Sequence, residues 1–263
     1  MKKLAIIGCG AIGAVVATAV DNGVVEAELL YLMDLDLRKA EKLASLLSTQ
    51  KPTVTSNVAE IACDPRVELV VEAASQEAVL QYAKQILESG KELVVMSVGA
   101  LLHPEARGLV ERYWKRIHVP SGAIAGIDAI KAMTLTGVES VELVTRKHPR
   151  KLVDEPYVKN KGLRLDHLLE PVVVFEGTAE EAVSAFPRTL NVAAALTLYS
   201  RTLARVKVVA DPSSELNVHE IRVKSKAGTL FVRVENVPHP DNSKTSYLAA
   251  LSVVKLLQEL CNG

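Results

Sequence analysis

Gly8, Gly10 and Gly13 lie in the run Gly8-Cys9-Gly10-Ala11-Ile12-Gly13, directly behind the apolar stretch Leu4-Ala5-Ile6-Ile7. A short buried strand that breaks into G-x-G-x-x-G and then an Ala- and Val-rich helix makes a cradle for phosphate. The first glycine turns the chain, the second lets backbone approach a pyrophosphate, and the third lets helix and strand pack closely. The anion lies at a helix N-terminus, where free N–H groups and the helix dipole favour it. A second apolar run, Glu28 to Met33, ends in Asp34, about 20 residues on, the spacing of a carboxylate that binds ribose. These features predict a nicotinamide dinucleotide, NAD or NADP, held by Gly8, Gly10, Ala11, Ile12, Gly13 and Asp34. Asp34 favours the free 2′-hydroxyl of NAD and repels a 2′-phosphate. Arg38 and Lys39 are close enough in sequence to soften that preference, so NAD is favoured and dual use is allowed.

A dinucleotide supplies hydride chemistry and leaves the protein to position a substrate and move one proton. Histidine suits that task near neutral pH. His103 precedes a proline, His148 and His167 lie in charged sequence, and His118 and His239 complete the other five. His219 opens a strand-like run after Asn217 and before Glu220; it is either a hydrogen-bonded structural histidine or a catalytic one. Two further stretches stand out. Ser121-Gly122-Ala123-Ile124-Ala125-Gly126 is a small-residue turn that either approaches a nicotinamide or serves as an interdomain hinge. In Asp241-Asn242-Ser243-Lys244-Thr245-Ser246, hydroxyls, N–H groups and Lys244 either hold a carboxylate or merely cap a helix through Ser243 or Thr245. No H-x-x-x-H and no acids clustered with histidines occur, so no metal site is expected. There is no G-x-S-x-G nucleophile elbow.

The elements that must position these residues alternate through the first 120 positions. Helical spacing covers 14–22, 35–47, 58–62, 77–88 and 104–115, while apolar runs at 67–75, 92–97 and 117–120 read as buried strands. Such runs predict a parallel sheet with right-handed crossovers, and ligands bind at the carboxyl ends of its strands. Ala73, Ala74, Ser97 and Gly99 lie at those ends and are expected to line the dinucleotide. Beyond Pro120 the rhythm changes. A helix is predicted over 123–133, strands at 141–145, 172–175 and 204–210, and a loop with a helical turn from Lys147 to Glu170. Helices follow at 179–185 and 189–199, and a hairpin spans 218–223 and 229–234. The expected fold class is α/β: a Rossmann-type doubly wound parallel sheet, then an α+β domain with an antiparallel or mixed sheet. The domains are expected at 1–120 (dinucleotide) and 121–240 (substrate and dimerisation), with a helix over 244–261 returning to the first.

Bulk properties exclude several classes. Lys plus Arg and Asp plus Glu balance at 31 each among 263 residues, so there is no electrostatic footprint for nucleic acid or an anionic membrane. No apolar run reaches the ~18 residues needed to span a bilayer. Cys9, Cys63 and Cys261 are scattered and form neither a disulfide framework nor a C-x-x-C pair. Met1-Lys2-Lys3 and the apolar stretch after it imitate a secretory signal, but the segment before Cys9 is too short for its apolar region. The chain is expected to be mature from Met1 and cytoplasmic.

Taken together, the first glycine run, Ser97-Val98-Gly99-Ala100-Leu101, Pro120 to Gly126, Phe186-Pro187-Arg188-Thr189-Leu190-Asn191-Val192, Asn217-Val218-His219-Glu220-Ile221 and Glu235 to Ser246 resemble the archaeal and bacterial L-aspartate dehydrogenases. The resemblance spans the chain in order. It implies NAD(P)-dependent oxidative deamination of L-aspartate to iminoaspartate, then oxaloacetate and ammonia, with the imine able to feed NAD biosynthesis. It also implies a homodimer, His219 as the active-site residue, and Ala123 and Asn191 in contact with the dinucleotide. Ser121, Asn242, Ser243, Lys244 and Thr245 are the expected donors to the two substrate carboxylates. The competing readings are a dehydrogenase or reductase of another small amino or keto acid, and a dinucleotide sensor without turnover.

Overall fold

The computed structural model describes residues 1–240 and 242–262, with backbone alone for 242–244. It divides into two compact units, Met1–Pro120 with Ala250–Gly263, and Ser121–Ala249.

In the first unit β1 (Lys2–Ile7), α1 (Ala11–Asp21), β2 (Ala27–Met33), α2 (Leu37–Leu46), β3 (Thr53–Thr55) and α3 (Val58–Cys63) are followed by β4 (Leu69–Glu72), α4 (Gln76–Glu88), β5 (Glu92–Val95), α5 (Arg107–Tyr113) and β6 (Ile117–His118). The strands form one parallel sheet in the order β3-β2-β1-β4-β5-β6. This is the order of doubly wound dinucleotide folds, whose strand sequence reverses between β1 and β4. Asp36, Asn57 and Ser75 cap α2, α3 and α4 by accepting from Arg38, Ala59 and Ala78 N–H groups. Leu4, Ile6, Leu32, Val71 and Val94 form the buried centre, which Val253 and Leu257 from the C-terminal end of the chain complete. The helix expected over 104–115 is interrupted: 3₁₀ turns at Pro104–Ala106 and Trp114–Arg116 flank the short α5.

The second unit contains α6 (Ile127–Met133), β7 (Val138–Lys147), α7 (Pro156–Asn160), β8 (Val172–Thr178), α8 (Ala179–Ala185), α9 (Asn191–Ser200), β9 (Arg205–Ala210), β10 (Asn217–Ser225) and β11 (Gly228–Asn236). Its sheet is mixed, in the order β11-β10-β7-β9-β8, with β7 and β9 parallel and the other pairs antiparallel. Alternate residues Val141, Leu143 and Thr145 of β7, Val206 and Val208 of β9, and Ile221 and Val223 of β10 are buried, while α8 packs on β8 and β9, and α9 on β7. After β11 come β12 (Pro238–His239), β13 (Asn242–Ser246) and α10 (Tyr247–Cys261).

Three further expectations need correction. Strand β7 runs on through Lys147, because ladder bonding to β9 and β10 outweighs the charge of its last residues. The helix predicted over 123–133 begins only at Ile127, since Gly126 adopts φ +78°, a conformation open to glycine. The helix expected from 244 begins at Tyr247: residues 242–246 pair with β12 instead, Pro238 opposite Ser246 and His239 opposite Asn242.

Candidate functional site

The glycine turn has the geometry of an anion cradle. Gly8 adopts φ +97°, and a Cβ there would lie 2.6 Å from the backbone of Ala73. A Cβ on Gly13 would lie 1.9 Å from the Gly8 carbonyl oxygen. Gly10 differs: it is exposed, a Cβ on it would meet no protein atom within 4 Å, and it precedes α1 without a side-chain cap. The first and third glycines are thus filled by the protein itself. The second leaves open space before uncapped N–H groups, as a pyrophosphate requires. Ala11 and Ile12 form the first turn of α1. Asp34 lies beside them, its Oδ2 accepting from Cys9 N at 2.9 Å and its Oδ1 from Asp36 N at 3.0 Å. Each oxygen keeps a lone pair for a further donor. The Arg38 guanidinium forks onto Asp36, at 2.9 and 3.2 Å.

At the ends of β4 and β5 a buried carboxylate organises the backbone. Glu72 accepts from Ala74 N at 2.8 Å, Ser97 N at 2.9 Å and Ser97 Oγ at 2.8 Å. Burial pushes its carboxyl upward, opposed by these donors. Through Glu72 the expected residues Ala74 and Ser97 are tied together, with Ala73 against Gly8. Gly99 is buried in the turn Val98–Leu102. Glu72 carried no sequence signal beyond being one acid in an apolar run.

In the second unit His219 is 2 % exposed on β10, opposite Thr145 of β7. Its Nδ1 lies 3.1 Å from Thr145 Oγ1. When Nδ1–H donates to that hydroxyl oxygen, Nε2 carries the lone pair of a base. Burial, then the charge of Lys147, pushes the imidazole down to about 3. Lys147 itself is buried, its ammonium 3.4 Å from Thr189 O. Burial lowers it to about 8, with Glu155 raising it and Lys151 lowering it. Lys151 Nζ donates to Glu215 O at 3.2 Å and Asn217 Oδ1 at 3.0 Å. Lys147 and Lys151 fall in charged sequence that reads as a loop, where nothing local marks them as buried.

Ala123, Asn191 and Thr245 lie near the same end of the sheet. Asn236 Nδ2 donates to Ala123 O at 3.0 Å and to Asn217 O at 3.2 Å, linking Ala123 to the start of β10. Asn191 opens α9 two residues beyond Thr189, whose carbonyl meets Lys147. Asn217 Nδ2 reaches Ser246 Oγ at 3.3 Å, which ties the end of β13, with half-buried Thr245, to β10. Ser121 is half-buried at the start of the unit. The side chains expected at Asn242, Ser243 and Lys244 lie outside the described residues. Among the described residues no group of three or more His, Cys, Asp or Glu side chains is placed to hold a metal. No described helix is long and apolar enough to cross a membrane.

A neutral buried histidine has a consequence for acid stability. The folded-state pKa lies below the unfolded value of 6.5, so the unfolded chain takes up the proton first. Its contribution is complete above 6.5 and is lost as pH falls from there toward 3. In a series of thermal melts, wild type is expected to lose stability between pH 6.5 and 5, above the range where most carboxylates titrate. A His219→Gln variant should show a shallower fall over that window. Equal slopes would mean that the folded and unfolded states take up the His219 proton alike, so that burial does not hold the ring neutral.

Comparison with known proteins decides the family. The family model described as "Aspartate dehydrogenase, C-terminal" matches residues 128–260, and "Homoserine dehydrogenase, NAD binding domain" matches residues 8–115. The chain is 44% identical to the L-aspartate dehydrogenase of Methanosarcina mazei, over 100% of this chain and 98% of the relative. The chain belongs to the aspartate dehydrogenase family. Another member, the L-aspartate dehydrogenase of Methanothermobacter thermautotrophicus, is 43% identical over 99% of this chain and 96% of its own. The crystal structure of the family member from Thermotoga maritima superposes with a TM-score of 0.76 at 29% identity, covering 99% and 97% of the two chains. A Lactobacillus casei myo-inositol dehydrogenase solved with NAD(H) and myo-inositol shares the fold alone, with a TM-score of 0.57 at 14% identity, covering 100% of this chain and 86% of the other. The chain is therefore an enzyme of the aspartate dehydrogenase family with a pyridine-nucleotide-binding domain.

Proposed function

We propose that the enzyme catalyses oxidative deamination of L-aspartate to iminoaspartate, which water converts to oxaloacetate and ammonia, and that the reaction runs in both directions. In this reading NAD is preferred to NADP, the protein works as a cytoplasmic homodimer, and the imine is available to NAD biosynthesis. The observation that carries it is the buried His219–Thr145 pair in the unit matched by the aspartate dehydrogenase model.

The dinucleotide fits the first unit because Gly10 leaves room where Gly8 and Gly13 do not. Gly8, Gly10, Ala11, Ile12, Gly13, Asp34, Ala73, Ala74, Ser97 and Gly99 are the residues of this unit that would hold it. When bound, a nicotinamide supplies a hydride acceptor. The chain's own task is the proton. A hydride can leave Cα only once the amine is neutral, so the ammonium must first give up H⁺. His219 Nε2 takes it in the tautomer whose Nδ1–H donates to Thr145, directly or through water. The two substrate carboxylates bring negative charge, which opposes that of Lys147 and raises the basicity of the ring. Ser121, Asn242, Ser243, Lys244 and Thr245 offer donors to those carboxylates.

Reduction of NAD, followed at the NADH absorbance band, tests the reading with L-aspartate, D-aspartate, L-glutamate and homoserine. Rapid reduction with L-aspartate alone supports it. Tight dinucleotide binding without turnover of L-aspartate overturns it. The cofactor preference has its own test. Arg38 forks onto Asp36, so discrimination falls to Asp34, with Lys39 left to soften it. Asp34→Ala is expected to raise the ratio of kcat/KM for NADP over NAD at least roughly tenfold, the worth of a charged hydrogen bond. An unchanged ratio would remove Asp34 from the ribose site.

A further inference from the structure

At the end of β7, buried donors outnumber their acceptors. Lys147 is 3 % exposed, and its ammonium makes one hydrogen bond among the described residues, the 3.4 Å contact to Thr189 O. An ammonium has three N–H donors. The hydroxyl of the same Thr189 is buried and has no partner among the described residues. The other buried lysines among the described residues, Lys91 and Lys151, have more acceptors. Lys91 donates to Asp64 O at 2.7 Å and Val67 O at 3.0 Å, and Lys151 has two acceptors at 3.0 and 3.2 Å. A buried cation with unused donors is costly unless an anion completes it. The buried Glu155 carboxylate acts on Lys147 through its charge but makes no ion pair with it among the described residues, so the donors stay unused. Lys147 lies two residues along β7 from Thr145, on the same face of the sheet, and Thr145 holds His219.

We propose that Lys147, together with the Thr189 hydroxyl, receives a carboxylate of the substrate beside His219. The identity of the anion rests on the dehydrogenase reading above. A carboxylate here accepts from the ammonium and the hydroxyl, satisfying both in a desolvated site where charge-assisted bonds are strong. It also cancels the field that Lys147 exerts on His219, so the ring becomes a stronger base when substrate is present and a weaker one when it is absent. Lys147 would thus be a specificity-determining residue, selecting acids over neutral amines.

Calorimetric titration of succinate, a dicarboxylate that cannot be oxidised at an amine-bearing carbon, tests this with protein saturated with NADH. Lys147→Gln is expected to weaken succinate binding at least roughly tenfold, and Thr189→Val about threefold or more. Both should raise the KM for L-aspartate more than they lower kcat, with NADH affinity within about twofold of wild type. Wild type offers a second measurement that needs no variant. The groups facing Lys147 are His219 from β10, and Lys151 and Glu155 from the segment after β7. His219 is neutral throughout the alkaline range, so loss of the Lys147 proton should weaken succinate binding about tenfold per pH unit above about 8. That dependence should vanish in Lys147→Gln; its persistence there would assign it to Lys151 and overturn the proposal. Succinate affinity unaltered by pH, or by both substitutions, overturns it as well. Succinate binding with the expected dependence, but no turnover of L-aspartate, would uphold the carboxylate site and reject the dehydrogenase reading alone.

Discussion

Gly13→Ala is expected to abolish dinucleotide binding, with an affinity loss of at least about a hundredfold and a lowered Tm. The added methyl would lie 1.9 Å from the Gly8 carbonyl oxygen. That neighbour is backbone at the end of β1, so relief requires moving the strand end and α1 apart. Overpacking in a close-packed interior typically costs 1–3 kcal/mol and more where nothing flexible yields. The displaced part is also the one that presents N–H groups to an anion. Gly10→Ala separates these effects. Its methyl meets no protein atom within 4 Å, and its φ of −81° suits alanine, so Tm should stay within about 2 °C of wild type. Its NADH affinity should nevertheless fall, because the methyl occupies space meant for pyrophosphate. Fluorescence titration with NADH, beside thermal melts, reads both. An equal NADH affinity in Gly10→Ala and wild type would place the pyrophosphate elsewhere.

The second large effect is expected at His219. His219→Ala should lower kcat/KM for L-aspartate by roughly 10²–10⁴, the range for loss of a general base, and leave NADH affinity nearly unchanged. Thr145→Val should give a smaller loss, since the imidazole remains but its Nδ1 loses the hydroxyl 3.1 Å away that selects the tautomer. Retention of activity within a few-fold in His219→Ala would reject the base. A dinucleotide affinity that falls together with kcat would instead mark His219 as structural.

The parts that could be read from sequence are those whose cause is local. The glycine turn is legible because each glycine answers a constraint within a few residues: Gly8 a positive φ, Gly13 a close approach, Gly10 an opening. Asp34 is legible because it ends a strand at a fixed distance from that turn. Lys147 was not, because its burial arises from pairing between segments far apart: β7 lies between β9 and β10, and Thr145 and His219 are 74 residues apart. A lysine followed by histidine, proline and arginine reads as solvated chain until those partners are known. Glu72 was hidden for a related reason, since its donors on Ser97 come from the neighbouring strand end. At 242–246, hydroxyl-bearing residues before an apolar helix read as caps. Pairing with β12 through Pro238 and His239 supplied competing backbone bonds, and the helix starts later.

The centre of the first unit is not contiguous along the chain. Leu4, Ile6 and Val71 pack with Val253 and Leu257, and Gln258 Nε2 donates to Val24 O at 2.9 Å. On the ribosome, the first 120 residues emerge long before α10 does, and they wait with part of their apolar surface bare. The intervening second unit, with its own sheet, is free to fold in that interval. Final closure then joins segments separated by more than a hundred residues, and the entropy of closing such a loop grows only slowly with its length. During synthesis the nascent protein therefore passes through a stage in which apolar surface of its first unit is uncovered, and it leaves that stage only when α10 has emerged.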